Sequence, residues 1–260
     1  METGGPLSNG KVNSAGSPDL PLANFQTRRF VRTMQQVAEN LWVARYPMKL
    51  LGANLGRTVT IIRIGGQVVI HSTAPFSAAD AAAIRELGTP AWMVEGATIH
   101  DTYTVQGRAV FPEADMYLPP GFPDTGGGVA PKPLTQPPAE WHGLLEVLPI
   151  AGMPGLNEYV FLHVPSRTLI VADLVFNVPT TAGAWVRLLL KLASGLQGGP
   201  GVSRIFLKEV KDEAAFKQSL TKMMQWDFER VIVGHGDIIE RGGKETLARL
   251  FREKGLLPSG

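Results

Sequence analysis

The chain has no cysteine among its 260 residues. Disulfides, thiolate metal ligands and a cysteine nucleophile are therefore excluded, and any metal must be held by imidazole and carboxylate. Charged residues are scarce, at 18%, and nearly balanced, with a net charge of +2. Neither a basic stripe nor a run of like charges is present to hold a nucleic acid. Long apolar runs are missing too. The most apolar helical stretch, 184–196, is interrupted by Arg187 and Lys191 and is too short to span a bilayer. The first 24 residues are rich in Gly, Ser, Pro and Asn and hold no apolar core of a secretory signal, so they read as a disordered tail. A reducing, cytoplasmic compartment fits this inventory.

What is present is a globular composition, 44% apolar, in a chain long enough for one large α/β domain, placed at 25–260. After an extended lead-in at 27–32, Leu41-Trp42-Val43-Ala44-Arg45-Tyr46 reads as a strand. The runs 58–64 and 67–71 are β-rich and joined by Gly65-Gly66, which predicts a hairpin with two left-handed residues. Ser77, with Asp80 three residues on, starts a helix that Gly88 ends as a left-handed cap. Strands are expected at 91–94, 115–118, 146–150, 204–207 and 230–233, with a second tight hairpin across Pro165-Ser166. Helices are expected at 184–196, from Asp212 through the apolar face Phe216, Leu220, Met223 and Met224, and at 243–254. The first of these is apolar nearly all round, so it either packs deeply or faces a partner, a second copy of the chain included. The segment 119–138 carries seven prolines and Gly126-Gly127-Gly128, and is read as a lid or surface arm. Hairpins followed by helix–strand alternation point to a layered α/β sandwich rather than a purely doubly wound sheet.

Three places can carry chemistry. Val231-Ile232-Val233-Gly234-His235-Gly236-Asp237 is a β-branched strand that ends in glycine and presents a histidine; otherwise this histidine caps a turn. Leu169-Ile170-Val171-Ala172-Asp173 delivers a carboxylate at a strand end, as a metal ligand, a base or a helix cap. Ile99-His100-Asp101 puts two candidate ligands side by side. On a loop both can point inward, which a regular strand forbids. His71 is read as a satisfied core or edge histidine. His163 is expected to hydrogen-bond near the turn 166–168, and His142 to be exposed.

In this order the pieces resemble the metallo-β-lactamase superfamily over roughly 38–254. Asn40-Leu41-Trp42-Val43 is similar to its opening strand. Leu169 to Asp173 is similar to the strand that delivers the bridging aspartate, and Val231 to Gly236 to the last-ligand element. The resemblance implies a four-layer αβ/βα sandwich, mixed sheets inside and helices on the outer faces. The family's His-x-His-x-Asp-His motif falls on Gly96-Ala97-Thr98-Ile99-His100-Asp101. Its first two histidines are replaced by Gly96 and Thr98, and its Asp-His pair is inverted. Met153, in Ile150-Ala151-Gly152-Met153-Pro154-Gly155, stands where the family has another histidine. The phrases Asn157-Glu158-Tyr159-Val160-Phe161 and Trp226-Asp227-Phe228 look similar to a branch with this same erosion.

The resemblance thus implies one surviving metal site made of His100, Asp101, Asp173 and His235. It would take one Zn²⁺, Fe²⁺ or Mn²⁺ ion, with Asp173 or Asp101 as catalytic base and Gly96, Thr98 and Met153 lining a substrate pocket. That is a mononuclear hydrolase of a small ester, lactone, amide or phosphate. The alternative is a non-catalytic binding or scaffold descendant without metal. A metal-free acid/base enzyme using His235 and Asp173 is a third reading.

Overall fold

The central strands of this chain are apolar on both faces. Ile61 faces one way and Ile62 the other; Val68 and Ile70 alternate with Val69, and Met93 with Trp92 and Val94. The same alternation separates Ile170 from Leu169 and Val171, and Ile232 from Val231 and Val233. A strand apolar on both faces must be covered on both, which demands at least three layers. The computed structural model describes residues 1, 34–50, 53–123, 125, 130–179, 183–196 and 198–258; all of these but the first belong to the unit Arg32–Gly260. The expectations placed on 2–33 and 126–128 lie outside the described residues.

The strands are β1 (Gln35–Ala38), β2 (Leu41–Tyr46), β3 (Lys49–Leu50), β4 (Ala53–Asn54), β5 (Arg57–Ile64), β6 (Gln67–His71), β7 (Thr89–Val94), β8 (Asp115–Leu118), β9 (Lys132–Pro133), β10 (Leu145–Pro149), β11 (Tyr159–His163), β12 (Thr168–Val171), β13 (Phe176–Val178), β14 (Gly199–Gly201) and β15 (Arg230–Val233). The helices are α1 (Ala78–Leu87), α2 (Thr104–Val110), α3 (Ala184–Ser194), α4 (Arg204–Lys208), α5 (Glu213–Gln225) and α6 (Gly243–Glu253).

Two mixed sheets form, one in the order β1-β2-β5-β6-β7-β8-β9 and one in the order β10-β11-β12-β15. Their inner faces share a core in which Leu41, Ile62, Val69 and Trp92 of the first sheet meet Phe161, Ile170 and Ile232 of the second. The outer face of the first sheet is covered by Ala81 and Ile84 of α1 and by Phe111. The outer face of the second is covered by α4, α5 and α6 through Phe206, Phe216, Leu220, Leu247 and Phe251. Each such side chain contributes roughly 1.5–3 kcal/mol by leaving water. The result is the four-layer αβ/βα arrangement.

Local signals hold where their chemistry is specific. Ser77 and Asp80 form a reciprocal capping box on α1, and Asp212 caps α5 by accepting from Ala215 N–H. Three expectations need correction. The β5–β6 hairpin forms, but only Gly65 is left-handed; Gly66 is not. Gly88 ends α1 with φ 156 and ψ 179 rather than as a left-handed cap, and glycine is needed there because a side chain would lie 2.7 Å from the Gly66 carbonyl. The run 204–207 is helical, not a strand: Ser203 accepts from Ile205 N–H and starts α4. The two-residue β9 sits at the sheet edge, where a strand containing proline belongs.

Among the parallel pairs are β6–β7 and β12–β15. The segments that follow β7, β12 and β15 supply the site.

Candidate metal centre

His235 follows β15 directly, one glycine on. Two glycines give it its place. A Cβ on Gly234 would lie 2.5 Å from the Ala172 carbonyl and 3.0 Å from the His100 ring, so only glycine lets the two strand ends close up. Gly236 has φ 107, and a Cβ there would collide with the Asn177 carbonyl. The Nδ1 of His235 donates to the Gly56 carbonyl at 2.6 Å, which leaves Nε2 facing Asp173 at 3.4 Å. Phe176 of β13 stacks on the ring, with centroids 5.6 Å apart and planes 13° apart.

Asp173 lies just past the end of β12. Its position is set by Glu158, which accepts from three consecutive backbone N–H groups, those of Ala172, Asp173 and Leu174. Burial, with the nearby Asp173 charge, pushes the Glu158 carboxyl up to about 8. Burial also works to raise Asp173, but His100, His235 and Arg57 outweigh it and hold that carboxyl below the ordinary range. Asp173 is therefore an anion at neutral pH.

His100 comes from the loop after β7. Its backbone carbonyl accepts from Arg57 Nη2 at 3.0 Å. Arg57 in turn pairs with Glu95 at 2.8 Å and donates to the Thr73 carbonyl, and Glu95 also accepts from Thr73 and Thr104. Burial, then the Arg57 charge, lower His100 to about 4, so its ring is neutral. Nε2 is 3.0 Å from an Asp173 oxygen, yet neither ring nitrogen makes a well-formed hydrogen bond.

His100, Asp173 and His235 are all buried, and their donor atoms lie within 4.8 Å of one another. A tetrahedral ion about 2.0–2.1 Å from each donor needs donors roughly 3.4 Å apart. His100 Nε2 is 3.0 Å from one Asp173 oxygen and His235 Nε2 is 3.4 Å from the other, so the two imidazoles flank the carboxylate at about that spacing. Two imidazoles, one of them with both ring nitrogens orphaned, and one anionic carboxylate fit a divalent cation.

The other expected residues fare differently. Asp101 is exposed and stands outside the group, since the chain turns after His100 and the pair does not point inward together. Met153 is packed in the core beneath the second sheet. Thr98 donates to the carbonyls of Gly155 and Leu156. Gly96 is buried, and a Cβ on it would lie 3.0 Å from His71 Nε2. His71 is buried as expected, but its Nε2 has no hydrogen-bond partner, so it is not a satisfied histidine. His163 does bond Ser166 at 2.7 Å, and His142 is exposed. Sequence reasoning gave no role to Arg57, Glu95 or Glu158. A charged residue bordering an apolar run was the signal for all three.

No protein-family model matches the chain, and no curated protein does. Solved structures do. The metallo-β-lactamase FIM-1 from Pseudomonas aeruginosa, in its mono-zinc form, is 16% identical over 87% of this chain and 96% of its own, with a TM-score of 0.56. A metallo-β-lactamase from Pontibacter korlensis is 12% identical over 85% and 98%, with a TM-score of 0.59. The metal-soaked Flv1 flavodiiron core from Synechocystis is 10% identical over 85% and 60%, with a TM-score of 0.59. Likeness at this distance fixes architecture and nothing finer: the chain has the metallo-β-lactamase fold.

Proposed function

We propose that this protein is a hydrolase with a single metal centre held by His100, Asp173 and His235, acting on a small ester, lactone, amide or phosphate. The observation that carries the proposal is the convergence of three buried donors from three different strand ends, with both His100 nitrogens left without hydrogen bonds. Zn²⁺, Fe²⁺ and Mn²⁺ all suit two imidazoles and a carboxylate. That a mono-zinc and a metal-soaked protein share the fold supports the reading. When bound, such a cation supplies Lewis acidity, polarising a carbonyl or phosphoryl oxygen and acidifying water.

The protein's own groups do the rest. Gly56 fixes the His235 tautomer, and Glu158 fixes the turn that carries Asp173. Arg57 holds the His100 backbone, and Asp173 supplies the one anionic donor of the three. Asp101, at the surface, is not needed as a ligand.

A specific observation favours the second reading, a non-catalytic descendant. The positions expected to line a pocket are closed by Met153 packing and by the approach of His71 to Gly96. Elemental analysis of untagged protein separates the readings. About one equivalent of metal in the wild type, lost in His100→Ala and His235→Ala, is the expected result. A wild type that stays metal-free after incubation with all three ions ends the hydrolase reading. Loaded protein that turns over no ester, lactone, amide or phosphodiester leaves the descendant reading.

A further inference from the structure

Helix α3 is amphipathic in an unusual sense. Its inward face is small: Leu190 packs with Val178 and Leu196, flanked by Leu55 and Phe176. At 100° per residue, Trp185, Leu188 and Leu192 lie on the opposite side. They are 72%, 46% and 70% exposed. The face turned away from a core is normally polar. Helix α6 obeys that rule: it buries Leu247, Leu250 and Phe251 and exposes Glu245, Arg252 and Glu253. Helix α4 continues the exception. Arg204 Nη2 donates to the carbonyls of Lys191 and Leu192, tying α4 to the end of α3, and the next residue, Ile205, is 54% exposed.

Charge is segregated over the same stretch. Residues 174–208 contain no Asp or Glu, but do contain Arg187, Lys191, Arg204 and Lys208. With 23 acidic residues in 260, a stretch of this length would carry about three. We propose that α3 and α4 form a docking face for a bilayer surface that contains anionic lipid. Trp185, Leu188, Leu192 and Ile205 enter the headgroup region, and Lys191 and Lys208, both exposed, lie against the anionic headgroups. Tryptophan suits that interface, with an apolar body and a polar edge. The helix lies on the membrane rather than crossing it, since no described helix is long and apolar enough to cross. A second copy of the chain fits less well. Symmetric pairing would set these cations against themselves, with no carboxylate within the stretch to neutralise them. The proposal does not depend on metal.

The test is co-sedimentation of the full chain with phosphatidylcholine vesicles, with and without phosphatidylserine. Binding is expected only with phosphatidylserine, and weaker in high salt. Lys191→Glu with Lys208→Glu should lower partitioning by at least about tenfold. Trp185→Ser with Leu192→Ser should abolish it. These sites are exposed, so the variants should melt with the wild type, which checks that they fold. Failure of the wild type to bind phosphatidylserine vesicles overturns the proposal. So does binding that the substitutions leave undiminished. A dimer in light scattering that Trp185→Ser makes monomeric, without vesicle binding, assigns the face to a second copy instead.

Discussion

The two flanks of the candidate metal centre carry different kinds of polar group. On the flank built by β12 and β15, Asp173 and His235 stand at strand ends with their donor atoms turned toward each other, 3.4 Å apart. On the flank built by β5 to β7, where the family resemblance places two more histidines, there are Gly96 and Thr98. That space is occupied by the His71 ring and bordered by the buried Arg57–Glu95 pair. The first flank brings donors together around a shared point, as a ligand site does. The second pairs its buried charges internally, and leaves Arg57 Nη1, His71 Nε2 and Ser72 Oγ without partners. The contrast teaches that charge buried away from the donor cluster comes in pairs, because unpaired charge in the interior is prohibitively costly.

The sharpest way to break the comparison is to strand a charge on the closed flank. Glu95→Ala leaves the fully buried Arg57 uncompensated and should cost about 3–5 kcal/mol in urea unfolding, whereas Arg57→Met with Glu95→Leu should recover most of it. If the single and the double variant lose equal stability, the closed flank is not held by paired charge. On the open flank, Glu158→Ala uncovers three N–H groups around Asp173. A loss of about 2–4 kcal/mol is expected, together with weaker metal retention. Gly96→Ala presses a methyl against His71 Nε2 at 3.0 Å and Ala172 Cβ at 3.3 Å, and should cost roughly 1–2 kcal/mol. A neutral result would show that the closed flank has slack.

The smallest effect is on pH dependence. Burial, with the charges of His100 and Arg57, lowers His71 to about 3, and burial lowers His163 to about 4. Unfolded, both titrate near 6.5. As pH falls from 6.5, the unfolded state takes up protons that the folded state refuses, so stability is lost on acidification down to about pH 4. Glu158 has the opposite sign: raised to about 8 from 4.5, it contributes below 4.5, and that contribution is lost as pH rises through 8. His100, lowered to about 4, acts in the same sense, and the three histidines outweigh Glu158 in the acid window. Melting temperature should therefore fall by several degrees between about pH 7 and about pH 5, and His163→Gln should flatten the slope.

Much of the fold is legible in the sequence because its signals are local. The capping box at Ser77 and Asp80, the Asp212 cap and the doubly apolar strands follow from chemistry within a few residues. Helix α2, with no side-chain cap, gives no such signal. Helix α4 reads as a strand because Ile205, Phe206 and Leu207 suit one equally well, and only the Ser203 cap and packing decide. At the site, Asp173, His235 and His100 are legible as polar residues ending apolar runs. Glu158, Arg57 and Glu95 are not, since a charge at the edge of an apolar run is ordinarily solvated.

By itself the sequence determined what any site could be made of. Without cysteine the donors must be imidazole and carboxylate, and glycines on both sides of His235 leave that imidazole free to approach another strand. Which donors meet was decided only by the tertiary structure. The sequence presents His100 and Asp101 as equals, but the turn after β7 buries the first and exposes the second. Arg57 and Glu95 lie 38 residues apart and become partners only when β5 and β7 are brought together across β6. The reason is physical. The cost of burying a charge depends on what surrounds it, and that is a property of the packed layers rather than of neighbours along the chain.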